Sequence, residues 1–301
     1  MKIITEVAVD KMNPQIEWES GIFMIGSCFA DEVGEILKCY GLNCCVNPFG
    51  TQYNACSIYN SLKRLCDLLQ LNGNKENRNF DATSAPYPFF AQSDVIRRPD
   101  GIFATFSHHS RCGSLNRDEF LQKANEQLIE SAKRLNEANF LIITLGTSFV
   151  YYRDGSVVSN CHKFSANEFE KKYLHTDDCA KVLSNIVEMF PQKQIIFTVS
   201  PVRHMGEGAH LNQISKSTLL IAVQRVLNYS NVYYFPSYEI VMDELRDYRW
   251  YKEDMSHPTS MAVKYIFEKF KDGCINPLAY SSMEKAFKQH LQLAHRPIGL
   301  V

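Results

Sequence analysis

Three side chains of this chain can together perform acyl-transfer chemistry, and one of them is far in sequence from the other two. Ser27 follows the apolar, branched run at residues 22–26, at the point where the pattern becomes amphipathic. A serine there can cap a helix, and it can also present a nucleophile, because ligands of α/β proteins bind outside the carboxyl ends of strands. A hydroxyl needs a general base at neutral pH. His257 in "DMSHPTS" is the best candidate, with Asp254 three residues before it.

The spacing of Asp254 and His257 suits a carboxylate that orients an imidazole. On one turn of chain, Asp254 can contact Nδ1 of His257 and leave Nε2 free to face Ser27. Pro258 and the apolar pattern of "SMAVKYIFEKF" predict a helix directly after His257, with Pro258 at its first position. Asp254 and Ser256 can instead be residues of that helix start, with His257 incidental. The serine at the first strand end favours a catalytic dyad or triad.

Composition excludes several classes of function. The 301 residues are 45% hydrophobic and 12% aromatic, enough for a sizeable core. Lys and Arg number 32 against 33 Asp and Glu, so nothing indicates a nucleic-acid partner. The N-terminus lacks a signal-peptide pattern, and no apolar run reaches the roughly 18 residues of a membrane helix. We therefore expect a cytoplasmic protein with no membrane association and a small or uncharged partner.

The cysteines and histidines do not predict a metal centre. Ten cysteines without a secretory signal favour reduced thiols over disulfides. The spacings of Cys39, Cys44, Cys45 and Cys56 do not form two CxxC pairs, and the histidine pair at 108–109 has no further ligand at a suitable spacing. We expect neither a metal nor a cofactor, and the sequence leaves the oligomeric state open.

Strand-like and amphipathic runs alternate along the chain. The strand candidates are residues 21–26, 44–49, 139–146, 194–200 and 231–237. The helix candidates include residues 30–39, 55–69, 117–138, 176–189 and 215–227. This alternation predicts an α/β fold with a mostly parallel sheet and helices on both faces. Several strands are continuously apolar, which suits burial on both sides.

Residues 71–116 interrupt this alternation. The segment is polar, contains Pro86, Pro88 and Pro99, and exceeds the about 12 to 15 residues of ordinary loops. It predicts a functional insertion or small subdomain that can cover the site. We expect one catalytic domain over residues 1–280 with this insertion inside it, followed by a C-terminal extension over residues 281–301.

The segments after the five strands are all rich in polar residues. They begin with Ser27, "NPFGTQYN", "LGTSFVYY", "SPVRH" and "YKEDMSHPTS". In a parallel sheet these ends meet at one edge, so we expect the segments to form a single site.

These blocks resemble the GSCFA family, which is related to the SGNH or GDSL-like hydrolases. The matching blocks are "GSCFA" at 26–30, "NPFGTQYN" at 47–54, "LGTSFVYY" at 145–152, "NCHK" at 160–163, "SPVRH" at 200–204 and "DELRDYRWYKEDMSHP" at 243–258. The resemblance implies a three-layer α/β/α fold with a mostly parallel five-stranded sheet of the flavodoxin-like type. It also implies that Ser27 is the nucleophile, with Asp254 and His257 as its partners.

The resemblance also implies an oxyanion hole, with departures from the SGNH pattern. SGNH enzymes carry GDS at the nucleophile, a Gly after the second strand and an Asn after the third. Gly50 matches the glycine, but no aspartate precedes Ser27, and Ser148 takes the asparagine position with Thr147 beside it. The implied donors are the amide of Ser27 or Cys28, with Gly50 and Ser148. A hydroxyl or backbone amide can stand in for the asparagine.

Five residues of these blocks are candidate substrate contacts, namely Asn47, Thr147, His162, Arg203 and His204. Arg203 and His204 can hold an anionic or carbohydrate group, and Arg203 can equally form a structural ion pair. His162 can reach the pocket, although a lone loop histidine is more often solvated.

Together these features predict a serine hydrolase that deacylates an ester, an O-acylated carbohydrate among the candidate substrates, through an acyl-enzyme on Ser27. An O-acyltransferase would use the same residues and pass the acyl group to an acceptor hydroxyl. A ligand-binding module with weakened catalysis is a third hypothesis, because the SGNH Asp and Asn are missing. A fourth places the nucleophile at Cys28, since a helix N-terminus lowers the pKa of a thiol.

Overall fold

Five apolar strands pair in parallel to form the central sheet. The computed structural model describes residues 4–73 and 87–294. The strands are β1 (Ile22–Gly26), β2 (Cys44–Val46), β5 (Phe140–Leu145), β9 (Gln194–Val199) and β10 (Val232–Tyr234). Their order across the sheet is β2-β1-β5-β9-β10, which is the flavodoxin-like order 2-1-3-4-5. The sequence-based prediction of a parallel, five-stranded sheet is confirmed.

Helices cover both faces of this sheet. They are α1 (Cys28–Cys39), α2 (Ala55–Gly73), α3 (Arg117–Glu137), α4 (Thr176–Met189), α5 (Gly208–Val226), α6 (Ser237–Glu239), α7 (Ser260–Cys274) and α8 (Tyr280–Ala294). A π-helical turn, Ile240–Glu244, continues α6. Single 3-10 turns occur at Gln92–Asp94, Ala166–Glu168, Met205–Glu207, Tyr248–Trp250 and Pro277–Ala279.

The alternation of side chains along the strands divides the core into two halves. Phe23 and Ile25 of β1 pack in a core with residues of α2 to α5, whereas Ile22 and Met24 pack in a second core with residues of α1, α7 and α8. Because successive side chains of a strand point to opposite faces, both faces of the sheet are buried. The predicted three-layer α/β/α architecture is confirmed.

The helix after His257 begins later than the sequence pattern predicts. We expected Pro258 at its first position, but α7 starts at Ser260. Thr259 is the N-cap, and its side chain accepts a hydrogen bond from the backbone N–H of Ala262. Pro258 instead forms an isolated bridge with Tyr251. The prediction was wrong because a threonine two residues after His257 provides the stronger cap.

A small antiparallel sheet, which is not among the elements predicted from the sequence, follows β5. It consists of β6 (Phe149–Arg153), β7 (Ser156–Val158) and β8 (Glu170–Tyr173) in the order β7-β6-β8. Asp154 and Gly155 join β6 to β7, both with positive φ of 49° and 75°. An Asp-Gly pair between apolar runs is a strong hairpin signal, so this pair was the sequence feature to use.

The predicted insertion contains a short hairpin, β3 (Ile96–Arg97) and β4 (Phe103–Ala104). Residues 74–86 of it lie outside the described residues. The later part contacts the segment that follows β2, because the backbone N–H of His109 donates to the carbonyl of Phe49. At the C-terminus the predicted extension is helical as far as Ala294. The proposed division into domain, insertion and extension stays a prediction.

Gly26 is required where the end of β1 lies against Thr144 of β5. Its φ is +147°, and a Cβ atom at this position would lie 2.2 Å from the carbonyl oxygen of Thr144. We expect Gly26→Ala to lower the free energy of unfolding by on the order of 3 kcal/mol or more, since the conformation is nearly exclusive to glycine. Chemical denaturation measures this loss.

Gly206→Ala is the matched control. A Cβ atom there meets nothing within 4 Å, so its effect should stay within about 0.5 kcal/mol. Equal stabilities of the two variants would contradict the role assigned to Gly26.

In the described ranges, no helix is both long and apolar enough to cross a membrane.

Candidate active site

Ser27 occupies a capping position without capping the helix. It directly follows β1 and occupies the N-cap of α1, yet its side chain makes no capping hydrogen bond. The residue is only 1% exposed, and its Oγ atom has no hydrogen-bond partner among the described residues. Its backbone N–H donates to the carbonyl of Thr144 in β5. A buried hydroxyl without a partner is costly, which indicates that this group is held for another purpose.

Asp254 and His257 form the predicted pair. Nδ1 of His257 lies 2.7 Å from Oδ2 of Asp254. The other carboxylate oxygen, Oδ1, accepts the backbone N–H groups of Ser256 and His257, both at 2.9 Å. These bonds, with His257 N–H first among them, lower the pKa of Asp254 to about 2. The carboxylate is therefore ionised at neutral pH and holds Nδ1 in its protonated form, which leaves Nε2 as the basic atom.

Three hydrogen bonds hold the Asp254–His257 loop on the edge of the sheet where Ser27 lies. Arg203, after β9, donates its backbone N–H to the carbonyl of Ser256 and its Nη1 to the carbonyl of Met255. On the other side, Nζ of Lys252 lies 2.6 Å from Oε1 of Glu32, on the second turn of α1. Arg203 thus supports the loop and forms no ion pair with a described residue, and its assignment to substrate binding stays a prediction.

The segments after β2 and β5 are joined by one backbone carbonyl. The carbonyl of Tyr53 accepts the N–H groups of Gly146 and Thr147, each at 2.8 Å. A Cβ atom on Gly146 would lie 3.4 Å from Cβ of Ser27. The glycine therefore lets the β5 segment approach the nucleophile, and the three strand ends meet as the sequence predicts.

The candidate oxyanion donors differ in whether they already form a hydrogen bond with another group of the protein. The N–H of Gly50 donates to the carbonyl of Asn47 at 2.7 Å, and the N–H of Ser27 is bound to Thr144. The first amides of α1, Cys28 among them, have no acceptor inside the helix. Ser148 is 1% exposed, and its Oγ has no partner among the described residues. The Cys28 amide and the Ser148 hydroxyl are therefore the candidates that no other residue in the described part of the chain occupies.

Cys28 does not have the properties of a thiolate nucleophile. Burial first, and then the charges of Glu32 and Asp31, raise the pKa of its thiol to about 11. The sequence-based expectation that the helix N-terminus lowers this pKa is wrong, because desolvation and two acidic neighbours outweigh it. At neutral pH the group is a neutral thiol.

Cys28→Ala is therefore expected to retain ester turnover within about tenfold of the wild type, since the backbone N–H that we assign to the oxyanion site is kept. Turnover and labelling by a fluorophosphonate probe, with and without prior iodoacetamide treatment, measure this. Loss of activity on alkylation of wild type but not of Cys28→Ala would show only that a bulky group at Cys28 blocks the site. A complete loss in Cys28→Ala would revive the thiol mechanism.

The side chains of Asn47 and Thr147 form hydrogen bonds with other residues of the chain. Oδ1 of Asn47 accepts the N–H of Gly26, and its Nδ2 donates to Asp31 at 2.6 Å. Oγ1 of Thr147 lies 3.1 Å from Oγ of Ser215 and accepts the N–H of Phe149. Both side chains stabilise the strand ends, and their assignment to substrate binding stays a prediction.

The two histidines proposed as substrate contacts lie in different places. His162 is buried, its Nε2 lies 2.8 Å from the carbonyl of Thr105, and its ring packs beside Phe106. These contacts place it where the insertion meets the small sheet. His204 lies at the strand ends, with its ring 5.6 Å from that of Tyr53. Burial, with the nearby charge of Lys216, lowers the pKa of His204 to about 4, so it is neutral.

One charged residue near the site, Lys216, is not among those predicted from the sequence. Lys216 of α5 is 1% exposed and donates to the carbonyls of Gly146 and Ser200, both at 2.7 Å. The signal was available, because Lys216 falls between Asn212 and Leu219 on the buried helix face. In the parts of the chain that the structure describes, His, Cys, Asp and Glu side chains form no group of three that could hold a metal ion.

Two solved structures resemble this chain at low sequence identity. A carbohydrate esterase family 2 enzyme with a carbohydrate binding domain, from Corynascus thermopiles (Myceliophthora fergusii), has 13% identity and a TM-score of 0.34, and the match covers 94% of this chain and 69% of that one. A carbohydrate esterase family 3 protein from Talaromyces cellulolyticus has 9% identity and a TM-score of 0.33, with 90% and 99% covered. Similarities this distant do not indicate an activity. No curated protein sequence matches the chain significantly.

The sequence, by contrast, matches one family model over most of its length. The match runs from residue 21 to residue 270 and is to the model described as the GSCFA family. It includes all five strands of the central sheet as well as Ser27, Asp254 and His257. The chain therefore belongs to the GSCFA family.

Proposed function

We propose that this protein is a serine esterase that forms an acyl-enzyme on Ser27. The observation that carries the proposal is the Ser27 hydroxyl, which is buried at a helix N-cap but neither caps the helix nor bonds any other described group. The Asp254–His257 pair, with a distance of 2.7 Å between Oδ2 and Nδ1, supports it from the same sheet edge. Ser27 and His257 form no hydrogen bond in this structure, so the reaction requires the imidazole to approach Oγ when substrate binds.

Ser27, His257 and Asp254 have distinct roles in the proposed reaction. Oγ of Ser27 attacks the ester carbonyl carbon while its proton passes to Nε2 of His257. The C–O bond to the alcohol then breaks, and His257 returns the proton to the departing alcohol oxygen. Water then attacks the acyl carbon and gives one proton to Nε2 of His257. The bond between the acyl carbon and Oγ of Ser27 breaks, His257 returns the proton to Oγ, and the carboxylic acid leaves. Asp254 keeps the imidazole oriented and stabilises its positive charge throughout.

The charge that develops on the carbonyl oxygen needs donors in place before the reaction. The Cys28 amide and the Ser148 hydroxyl fill this role in the proposal. The Gly50 amide would have to share its hydrogen with the Asn47 carbonyl, which it already contacts at 2.7 Å. Removal of one good oxyanion donor reduces the rate by about 100-fold or more. We therefore expect slow turnover if both remaining donors are not engaged together.

A partly exposed aromatic residue lies at the strand ends near Ser27. It is Tyr53, whose carbonyl binds the Gly146 N–H, and an aromatic ring there can pack against the apolar parts of a substrate. We propose short-chain acyl esters, including O-acetylated sugars, as the substrate class. An acyltransferase would use the same residues and is tested together with hydrolysis.

The test combines active-site labelling with a substrate panel. A fluorophosphonate probe should label wild-type protein on the peptide that contains Ser27, as mapped by mass spectrometry, and prior incubation with substrate should slow this labelling. Aryl acetates, aryl butyrates and acetylated sugars are then tested with and without added sugar acceptors. Acyl transfer to an acceptor in preference to water would identify a transferase. Folded protein that is neither labelled nor active on any ester would contradict the esterase proposal.

A further inference from the structure

A lysine is buried behind the nucleophile. Lys216 lies on α5 and is 1% exposed. Its Nζ donates to the carbonyl of Gly146, which follows β5, and to the carbonyl of Ser200, which follows β9, each at 2.7 Å. These two hydrogen bonds cross-link neighbouring strand ends at the point where β5 passes Ser27. Burial of a lysine is unfavourable, so its presence calls for a reason beyond packing.

The charge of Lys216 has no counter-ion. In the described part of the chain its Nζ contacts carbonyl oxygens and no carboxylate. The titratable groups that face it are Cys28 on α1, His204 after β9 and Tyr238 on α6, whose ring centre lies 5.8 Å from Nζ.

All three of these groups are neutral at neutral pH. Burial raises the pKa of Cys28 to about 11 and raises the pKa of Tyr238, and it lowers the pKa of His204 to about 4. The positive potential of the ammonium group is therefore not cancelled by any group packed against it.

The positive potential of Lys216 extends to the region around Ser27. The charge of Lys216 lies near enough to affect the pKa of Cys28, the residue after Ser27, and the pKa of His204, acting to lower both. Gly146, whose carbonyl the lysine holds, lies so close that a Cβ atom on it would be 3.4 Å from Cβ of Ser27. The N-terminus of α1 adds a partial positive charge at the same place. Two sources of positive potential thus converge where an ester oxyanion would develop.

We propose that Lys216 is a positioning residue for the Ser27 reaction, which fixes the ends of β5 and β9 and supplies positive charge that stabilises the oxyanion. The inference rests on the proposed serine esterase function and assigns to α5 a role that no block of the sequence indicates. It also accounts for catalysis without the asparagine of the SGNH pattern, because a fixed charge in a dry site compensates for a missing donor.

The pH dependence of the reaction follows from the same surroundings. Burial lowers the pKa of Lys216 to about 7. The ammonium form is present below this value and is lost above it, so the stabilisation by charge declines as the pH rises through about 7. Cys28 does not titrate in this range, because its pKa is raised to about 11.

The experiment measures the second-order rate constant of fluorophosphonate labelling at Ser27 between pH 6 and pH 9.5. The proteins are wild type, Lys216→Met, Lys216→Arg and the control Lys123→Met, whose exposed side chain pairs with Glu119 on α3. Circular dichroism and thermal unfolding establish that each variant is folded. We expect Lys216→Met to react about 10- to 100-fold more slowly than wild type at pH 7, with Lys123→Met unchanged.

The wild-type profile provides a second measurement that needs no variant at position 216. Its rate constant should decline above pH 7 towards the value of Lys216→Met, whereas Lys216→Arg, which keeps its charge, should show no such decline. Wild-type labelling at Ser27 that stays constant to pH 9.5 would overturn the inference and leave the esterase intact. A folded Lys216→Met with the wild-type rate would do the same. Absence of Ser27 labelling at every pH would overturn the esterase proposal and this inference together.

Discussion

Ser27→Ala is expected to abolish fluorophosphonate labelling and to lower ester turnover by about 10⁴-fold or more, because the acyl-enzyme can no longer form. The loss should appear in kcat, since the methyl group leaves the binding surface almost unchanged. The fold should persist. Oγ of Ser27 has no hydrogen-bond partner among the described residues, so its removal breaks no contact, and the free energy of unfolding should stay equal or increase slightly. Turnover, labelling and chemical denaturation of the same preparation check all three statements.

Ser57→Ala is the matched control for this experiment. Ser57 is also 1% exposed, and its Oγ also has no partner among the described residues, but it lies on α2 rather than at a strand end. Its replacement removes the same atom from a similar environment and should leave turnover within about twofold of wild type. Equal activity of Ser27→Ala and wild type would disprove the serine mechanism. Equal loss in both serine variants would indicate a general structural effect.

Asp254→Asn should lower kcat/KM by about 10³- to 10⁴-fold while the loop keeps its conformation. The amide oxygen can still accept the N–H groups of Ser256 and His257, which now lie 2.9 Å from Oδ1. The amide nitrogen, however, replaces the oxygen that lies 2.7 Å from Nδ1 of His257. A donor there favours the tautomer with its proton on Nε2, so the basic atom no longer faces Ser27. Turnover as a function of pH measures the effect.

The pKa of Asp254 predicts the shape of that pH profile. Since it is lowered to about 2, the carboxylate remains ionised across the range in which the protein can be assayed. Any acid limb in the wild type must therefore arise from a group other than Asp254. Asp247→Asn is the control, because Asp247 lies in the same region and also accepts a backbone N–H, that of Arg249. Similar losses in the two variants would show that charge removal, rather than imidazole orientation, is responsible.

Periodicity and residue type predicted the fold well, whereas the catalytic candidates stay a prediction. Continuous apolar runs of about six residues between amphipathic segments are typical of parallel strands with helices between them, and the five strands lie where these runs are. The ends of parallel strands must share one edge, so Ser27 could be assigned to a site before its partners were known. The hydrogen bond of Asp254 and His257 was predictable because three residues of chain form a single turn.

Three local features were predicted wrongly or not at all from the sequence. Pro258 suggested a helix start, but the Thr259 hydroxyl caps the backbone of Ala262 and shifts α7 to Ser260. Ser27 occupies a cap position without capping, which residue type alone does not reveal. The Asp154–Gly155 turn and its hairpin were present in the sequence as a recognisable pair and were overlooked.

By itself, the sequence predicted the sheet and its helices and singled out Ser27, Asp254 and His257 as candidates, because periodicity, residue type and short motifs are local properties of the chain. Only the tertiary structure decided which polar atoms remain free to act. It binds the Gly50 amide to Asn47, raises the pKa of Cys28, makes Arg203 a support for the Asp254 loop and buries the charge of Lys216 behind Ser27. The physical reason is that desolvation and hydrogen-bond competition depend on what packs against a group, and those neighbours are brought from distant parts of the chain.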